Sequence, residues 1–305
     1  MLRYILKRIL GIVPVLWVVA TLTFFLIRLA PGGPFDSDKQ IPPEILANLE
    51  AKYHLDEPLI AQYFRYLGML AQGDLGPSFR YASRSVNEII GETFPVSAAI
   101  GFAGLAFALF IGVFAGMLAA SKPNSLRDYL PMFASMLGIC LPSFVIGPIL
   151  MLIFSIKLGW FNVSGWDEPR DLVLPAVTLG TMYAAFFARL TRGGVLDIVR
   201  QDFVRTAHAK GLRSWLVMVK HCLKGGLLPS VSFLGPAVTA MLTGSLVVET
   251  IFNIPGLGRF FVQSALNRDY TLVMGCVLFV AFIIVVMNLL VDIAYAFLDP
   301  RVSYD

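Results

Sequence analysis

Charge is scarce in this sequence. Only 14% of its 305 residues are Asp, Glu, Lys or Arg, against 57% hydrophobic, whereas a soluble domain carries roughly 25% charged residues. A water-soluble fold cannot hide that much apolar surface, so most of the chain is predicted to lie in lipid. Cysteine is also rare. Cys140, Cys222 and Cys276 are far apart and outside any Cys-x-x-Cys spacing, which argues against a disulfide framework or a thiolate metal site and leaves packing as their role. The groups that carry chemistry are missing too. No Gly-Lys dipeptide occurs, so there is no phosphate-cradling loop; His54, His208 and His221 are isolated rather than spaced as a zinc helix. Gly76-Pro77-Ser78 runs into Phe79 and Arg80 instead of the second Gly of a nucleophile elbow. No catalytic residue, metal or cofactor is expected, and any ATP-driven work needs another subunit.

What is present is length without charge. A hydrocarbon core of about 30 Å takes roughly 20 apolar residues per helical crossing. Six stretches free of Asp, Glu, Lys and Arg qualify: Ile9–Ile27 (19 residues), Thr93–Ser121 (29), Tyr129–Ile156 (28), Leu172–Ala188 (17), Gly225–Val248 (24) and Tyr270–Val291 (22). Unpaired backbone amides are costly in lipid, and continuous apolar runs of this length read as helices rather than alternating strands. The predicted class is all-α, a polytopic membrane protein with six transmembrane helices. Arg3, Lys7 and Arg8 precede the first stretch as in a signal peptide, but it exceeds a usual apolar core and no small-residue cleavage site follows at Arg28-Leu29-Ala30-Pro31. It is expected to be a retained anchor, residues 1–30.

Basic residues orient the chain. With the N-terminus in the cytoplasm, the inner segments carry 3, 2, 8 and 1 Lys or Arg, and the short outer loops 157–171 and 249–269 carry 2 each, which places both termini inside. The net charge of +4 follows from this bias, and no basic and aromatic interleaving calls for a nucleic acid. The outer segment, 31–92, shows helical spacing over Pro43–Tyr53 and Pro58–Ala71, with Leu59, Tyr63, Tyr66, Leu67 and Leu70 on one face. It reads either as a small cap that touches a soluble partner or as a linker with two helices against the membrane.

The inner loop, 189–229, is the most informative stretch. Asp202 suits a helix N-cap, Phe203 to Lys210 spans two turns, and Gly211 supplies a left-handed stop. A second helix can begin after Ser214. Eight residues are too few to stay helical alone, since roughly 12 to 15 are needed in water. Phe203 and Ala207, with the small Thr206, suit docking into a partner's groove, and Arg205 and Lys210 suit acidic groups at its rim. The alternative is a basic loop that only touches anionic headgroups.

The run Arg205-Thr206-Ala207-His208-Ala209-Lys210-Gly211, with Pro229 closing the following helix, resembles the coupling motif of permease subunits of binding-protein-dependent ABC importers, in the form used by the peptide and nickel branch. It departs from the general Glu-Ala-Ala-x-x-x-Gly pattern: Arg205 and Thr206 replace Glu and the first Ala, and the proline falls five residues late. Glu249-Thr250-Ile251-Phe252 running to Pro255-Gly256-Leu257-Gly258, then Asn267-Arg268-Asp269-Tyr270 and the tail Asp299-Pro300-Arg301, agree with the same family. Gly73-Asp74-Leu75-Gly76-Pro77-Ser78-Phe79 and Ala51-Lys52-Tyr53-His54-Leu55 are similar to B-type permease subunits of oligopeptide importers. The resemblance implies a type I ABC importer permease fold, with 93–301 as the transmembrane domain, in a bacterial inner membrane. It further implies a homologous second permease, two cytoplasmic ATPase subunits that bind the ATP, an external peptide-binding protein, and a peptide as cargo. Coupling to the ATPase is assigned to Asp202, Phe203, Arg205, Thr206, Ala207, Ala209, Lys210, Gly211 and Pro229.

Prolines inside the runs, Pro131, Pro142, Pro148 and Pro236, remove backbone bonds and predict kinks. Pro142, Pro148 and Pro236 are candidates for a gate, or for ordinary packing. Gly101, Gly104, Ala108, Gly112 and Gly116 form a helical stripe expected to be a packing face rather than a channel wall. Three readings compete: the importer permease, for peptides or for a dipeptide, nickel or glutathione; a self-sufficient secondary carrier, disfavoured by charge-free spans; and a membrane enzyme, which has no residues to support it.

Overall fold

The computed structural model describes residues 2–29, 32–35, 42–81, 83–243 and 245–298; the tail Asp299-Pro300-Arg301 lies outside them. Among the described residues there are helices and no strand, only an isolated antiparallel bridge between Pro77 and Ser85. The described residues divide into two compact units: 2–95 with Gly256–Val286, and Val96–Pro255 with 287–298. This grouping differs from a division at residue 92, and side chains of the first unit show why. Val86, Ile89 and Ile90 share one buried core with Leu257, Leu272 and Cys276.

In the first unit, α1 (Leu2–Leu29) is followed by α2 (Pro43–Lys52) and α3 (Leu59–Ala71), the two helices expected from the periodicity. Ala20 and Phe24 of α1 are buried with Tyr63 and Tyr66 of α3, while Leu22 and Leu26 stay exposed as a lipid-facing row. Phe24 lies edge-on to Tyr63 and stacked on Tyr66, with ring centroids 5.4 and 5.6 Å apart. Leu59, expected on the same face, is exposed. Asp269 anchors the outer loop: its carboxylate accepts from the Ser78 hydroxyl, from the Phe79 amide at 3.1 Å and from the Leu272 amide at 3.2 Å.

In the second unit, α4 (Val86–Ser121) continues beyond Pro95, and α5 (Leu126–Cys140) and α6 (Ser143–Leu150) follow, with one wide π-turn segment at Met151–Lys157. The third apolar run is therefore not a straight crossing. Its two parts are bent by 110°, because Pro142 has no amide to donate and forces Leu141 before it into an extended conformation, φ −88°, ψ 119°. Pro131, Pro148 and, further on, Pro236 lie inside helices that continue through them, so only Pro142 marks a break. Among the described residues five helices are long and apolar enough to cross a membrane, six if the bent pair is counted as one span.

The long α7 (Val173–Val199) organises this unit. The glycine stripe of α4 packs on it: a methyl on Gly112 would stand 2.5 Å from the Ala184 carbonyl, and one on Gly116 2.4 Å from that of Ala188. The stripe is a packing face, as its small residues predict. The inner loop holds α8 (Asp202–Ala209), α9 (Ser214–Val217), a short π stretch Met218–Cys222 and α10 (Leu223–Gly226). Then come α11 (Leu228–Thr243), α12 (Leu246–Ile251), α13 (Leu257–Leu266) and α14 (Tyr270–Leu298).

Candidate functional site

The helix foreseen after residue 201 is present, shifted by one residue. Gln201, at φ −79° and ψ 152°, occupies the cap position without a side-chain cap bond, so Asp202 is the first helical residue and not the cap. Its carboxylate still favours the positive end of the helix dipole. It lies 3.5 Å from the Arg205 guanidinium, both side chains being almost fully exposed, a pair worth little in water. At the other end Gly211 takes φ +79° and its amide donates to His208 O at 2.9 Å, while Leu212 N donates to Ala207 O at 3.3 Å. This is the left-handed stop that the glycine predicts.

The two faces of α8 divide differently from the expected docking pair. Val204 and Ala207 are 2% and 7% exposed and share a core with Ala120, Val195, Val217, Met218 and Cys222. Ala207 is therefore an anchor within the chain and not free to enter a partner's groove. Three residues apart, Val204 and Ala207 point the same way, whereas Phe203 is turned about 100° from Val204 and is 45% exposed. Asp202, Arg205, Thr206, Ala209 and Lys210 all face outward. Sequence reasoning missed Leu212, Trp215 and Leu216, which extend this exposed surface along the loop; the signal was an apolar Trp-Leu pair between basic residues.

Pro229 also plays another part than expected. It is the second residue of α11 and opens that helix instead of closing the previous one, a position where proline costs no internal bond. There the returning loop crosses α7: a methyl on Gly194 would meet the Gly226 carbonyl at 2.2 Å and Pro229 Cδ at 3.2 Å. A cavity of about 430 Å³ under α8 is lined by Lys122, Arg127, His208, Trp215 and Cys222, among others. Burial pushes the Cys222 thiol up, which keeps it an inert packing residue.

Two buried polar ties complete the surroundings. Arg192 on α7 donates Nε and Nη2 to the buried Asp128 carboxylate of α5 at 2.6 and 2.7 Å, a two-pronged pair. Glu249, fully buried on α12, accepts from Ser97 Oγ at 2.7 Å and from Ser245 Oγ. The sequence placed Glu249 just outside the fifth run; the helical segment Leu228–Ile251 includes it. Among the described residues no group of acidic, His and Cys side chains could hold a metal ion.

Residues 112–304 match the family described as binding-protein-dependent transport system inner membrane component, and residues 1–101 match its N-terminal companion family. The chain belongs to the binding-protein-dependent transport system inner membrane components. Relatives in this family include the oligopeptide transport system permease protein OppB of Haemophilus influenzae, 48% identical over all of both chains, and that of Escherichia coli K12, 45% identical with the same coverage. The dipeptide transport system permease protein DppB of Bacillus subtilis is 41% identical, with 99% of this chain and 98% of that one covered. Among solved structures, the MetNI methionine ABC transporter in inward-facing conformations aligns with a TM-score of 0.58 at 15% identity, covering 69% of this chain and 96% of the other. That likeness shows a shared fold. Family and helices together make the chain a multi-pass inner-membrane protein.

Proposed function

We infer that the chain forms half of the translocation pathway of an ATP-driven oligopeptide importer, hydrolysing no ATP itself. The observation that carries this reading is identity of 45–48% along the entire chain to oligopeptide permeases, joined to an eight-residue helix whose inner face is anchored and whose outer face is bare. A second homologous permease would complete the pathway, one of two cytoplasmic ATPase subunits would bind the exposed face of α8, and an external binding protein would deliver the peptide. Both termini would then be cytoplasmic, in keeping with the basic inner segments.

Coupling follows mechanically. ATP-driven closure of the ATPase pair pulls on Phe203, Arg205 and Lys210. The pull passes through Val204 and Ala207 to the core that contains Val195 of α7, and the spans tilt between inward-open and outward-open states. The break at Pro142 is the gate position best supported by the geometry. A dipeptide as cargo is the second reading, favoured by the Bacillus relative.

The test is reconstitution of the whole importer in proteoliposomes with labelled oligopeptides and dipeptides. Uptake that requires ATP, the binding protein and an intact Phe203 is expected. Solute movement by this chain alone, driven by an ion gradient, would replace the proposal with a secondary carrier.

A further inference from the structure

A second site stands at the far end of α1, in the first unit. Arg28 is half-buried there, with its guanidinium carbon 3.6 Å above the Phe24 ring. A guanidinium offers five N–H donors. Arg28 gives Nε and Nη2 to one neutral acceptor, Gln62 Oε1, at 3.2 and 3.0 Å, and Nη1 two long contacts, 3.5 Å to the Phe24 carbonyl and 4.0 Å to Met274 Sδ. Gln62 cannot turn away, because its amide nitrogen donates to the carbonyls of Leu55 and Glu57 at 3.1 and 2.8 Å. Among the described residues no carboxylate pairs with Arg28. The neighbouring Arg65 differs: Glu57 takes its guanidinium at 2.5 Å and also lies 3.2 Å from His54 Nδ1.

Beside Arg28 lies a hydroxyl with no partner. Tyr66 is 4% exposed and its Oη makes no hydrogen bond. Burial pushes this phenol well above its ordinary range, with Arg28 opposing the rise, so it is a neutral O–H donor at any physiological pH. Both side chains line a cavity of about 110 Å³ that Lys52 also borders. An orphaned donor, a cation with no counter-charge among the described residues and a second cation around one cavity fit a tetrahedral oxyanion, which takes several donors and matches the guanidinium fork.

We propose that Arg28, Tyr66 and the cavity between them form a phosphate site at the end of the first span, filled by free inorganic phosphate or by the phosphodiester of a phospholipid headgroup. The site is independent of the cargo and of the coupling helix.

The test uses the purified full-length chain in detergent, titrated calorimetrically with inorganic phosphate and, separately, with dihexanoyl phosphatidylglycerol. Arg28→Gln is expected to raise the dissociation constant of whichever compound binds by about tenfold or more, and Tyr66→Phe by about threefold. Arg84→Gln, whose partner is Glu92 and which does not line the cavity, should leave it unchanged. Binding of both compounds identifies the phosphate group alone as the determinant; binding of the lipid only identifies a headgroup site. Tyr66→Phe removes an atom that touches no protein donor or acceptor, so it decides the matter even if Arg28→Gln fails to fold. Equal affinities for wild type and Tyr66→Phe would overturn the proposal and leave a cavity filled with water, for which 110 Å³ is ample.

Discussion

Two short helices outside the long spans, α3 and α8, solve the same problem in opposite ways. Thirteen residues long, α3 buries Tyr63 and Tyr66 on Phe24 and ties Tyr63 Oη to Thr21 Oγ1 at 2.8 Å, all inside its own unit. The eight-residue α8 buries only Val204 and Ala207 and leaves a charged face with Phe203 exposed. The first buries its tyrosines within its own unit, although Leu59, Ile60 and Phe64 stay exposed. The second is fastened at two residues and leaves the rest of its surface exposed, the face that the proposed ATPase subunit would grip.

The sharpest way to break this contrast is Val204→Asp. A charge with no partner in that core should cost about 3–5 kcal/mol, and ATP-dependent uptake should vanish while the chain still inserts; near-normal uptake would show that α8 is not anchored there. Phe24→Ala should cost about 3–4 kcal/mol by leaving a cavity under two tyrosines, read as a lower thermal midpoint. Some uptake should survive it, because α8 is untouched. Gly211→Ala should cost about 1 kcal/mol, since the left-handed φ penalises a side chain even though nothing lies within 4 Å. Phe203→Ala should change stability by less than about 0.5 kcal/mol, as exposed substitutions do, yet reduce uptake roughly tenfold; unchanged uptake would mean that the bare face has no partner.

The spans were legible because lipid imposes a length and forbids charge, so composition alone reveals them. A helix end was legible where a residue has one dominant preference, as with Gly211, whereas the four prolines predicted kinks alike and only the fold singled out Pro142 as a break. The faces of α8 were not. Phe203 and Ala207 are four apart and share a helical side, but burial depends on which neighbour covers that side, and Val204 drew the inward direction away from Phe203. Asp128 with Arg192, 64 positions apart, and Glu249 with Ser97, 152 apart, were illegible for a simpler reason. A partner so distant in sequence becomes visible only when the chain is folded.

At Gly194 and Gly226 two main chains meet with no side chain between them. Contacts made through flexible side chains can slip by an ångström before they resist, but bare peptide against bare peptide has no such slack. This crossing acts as a rivet: displacement of the returning loop has to carry α7 with it from the first fraction of an ångström. In the proposed importer, a motor whose stroke is short could then still move a helix long enough to reach across the bilayer.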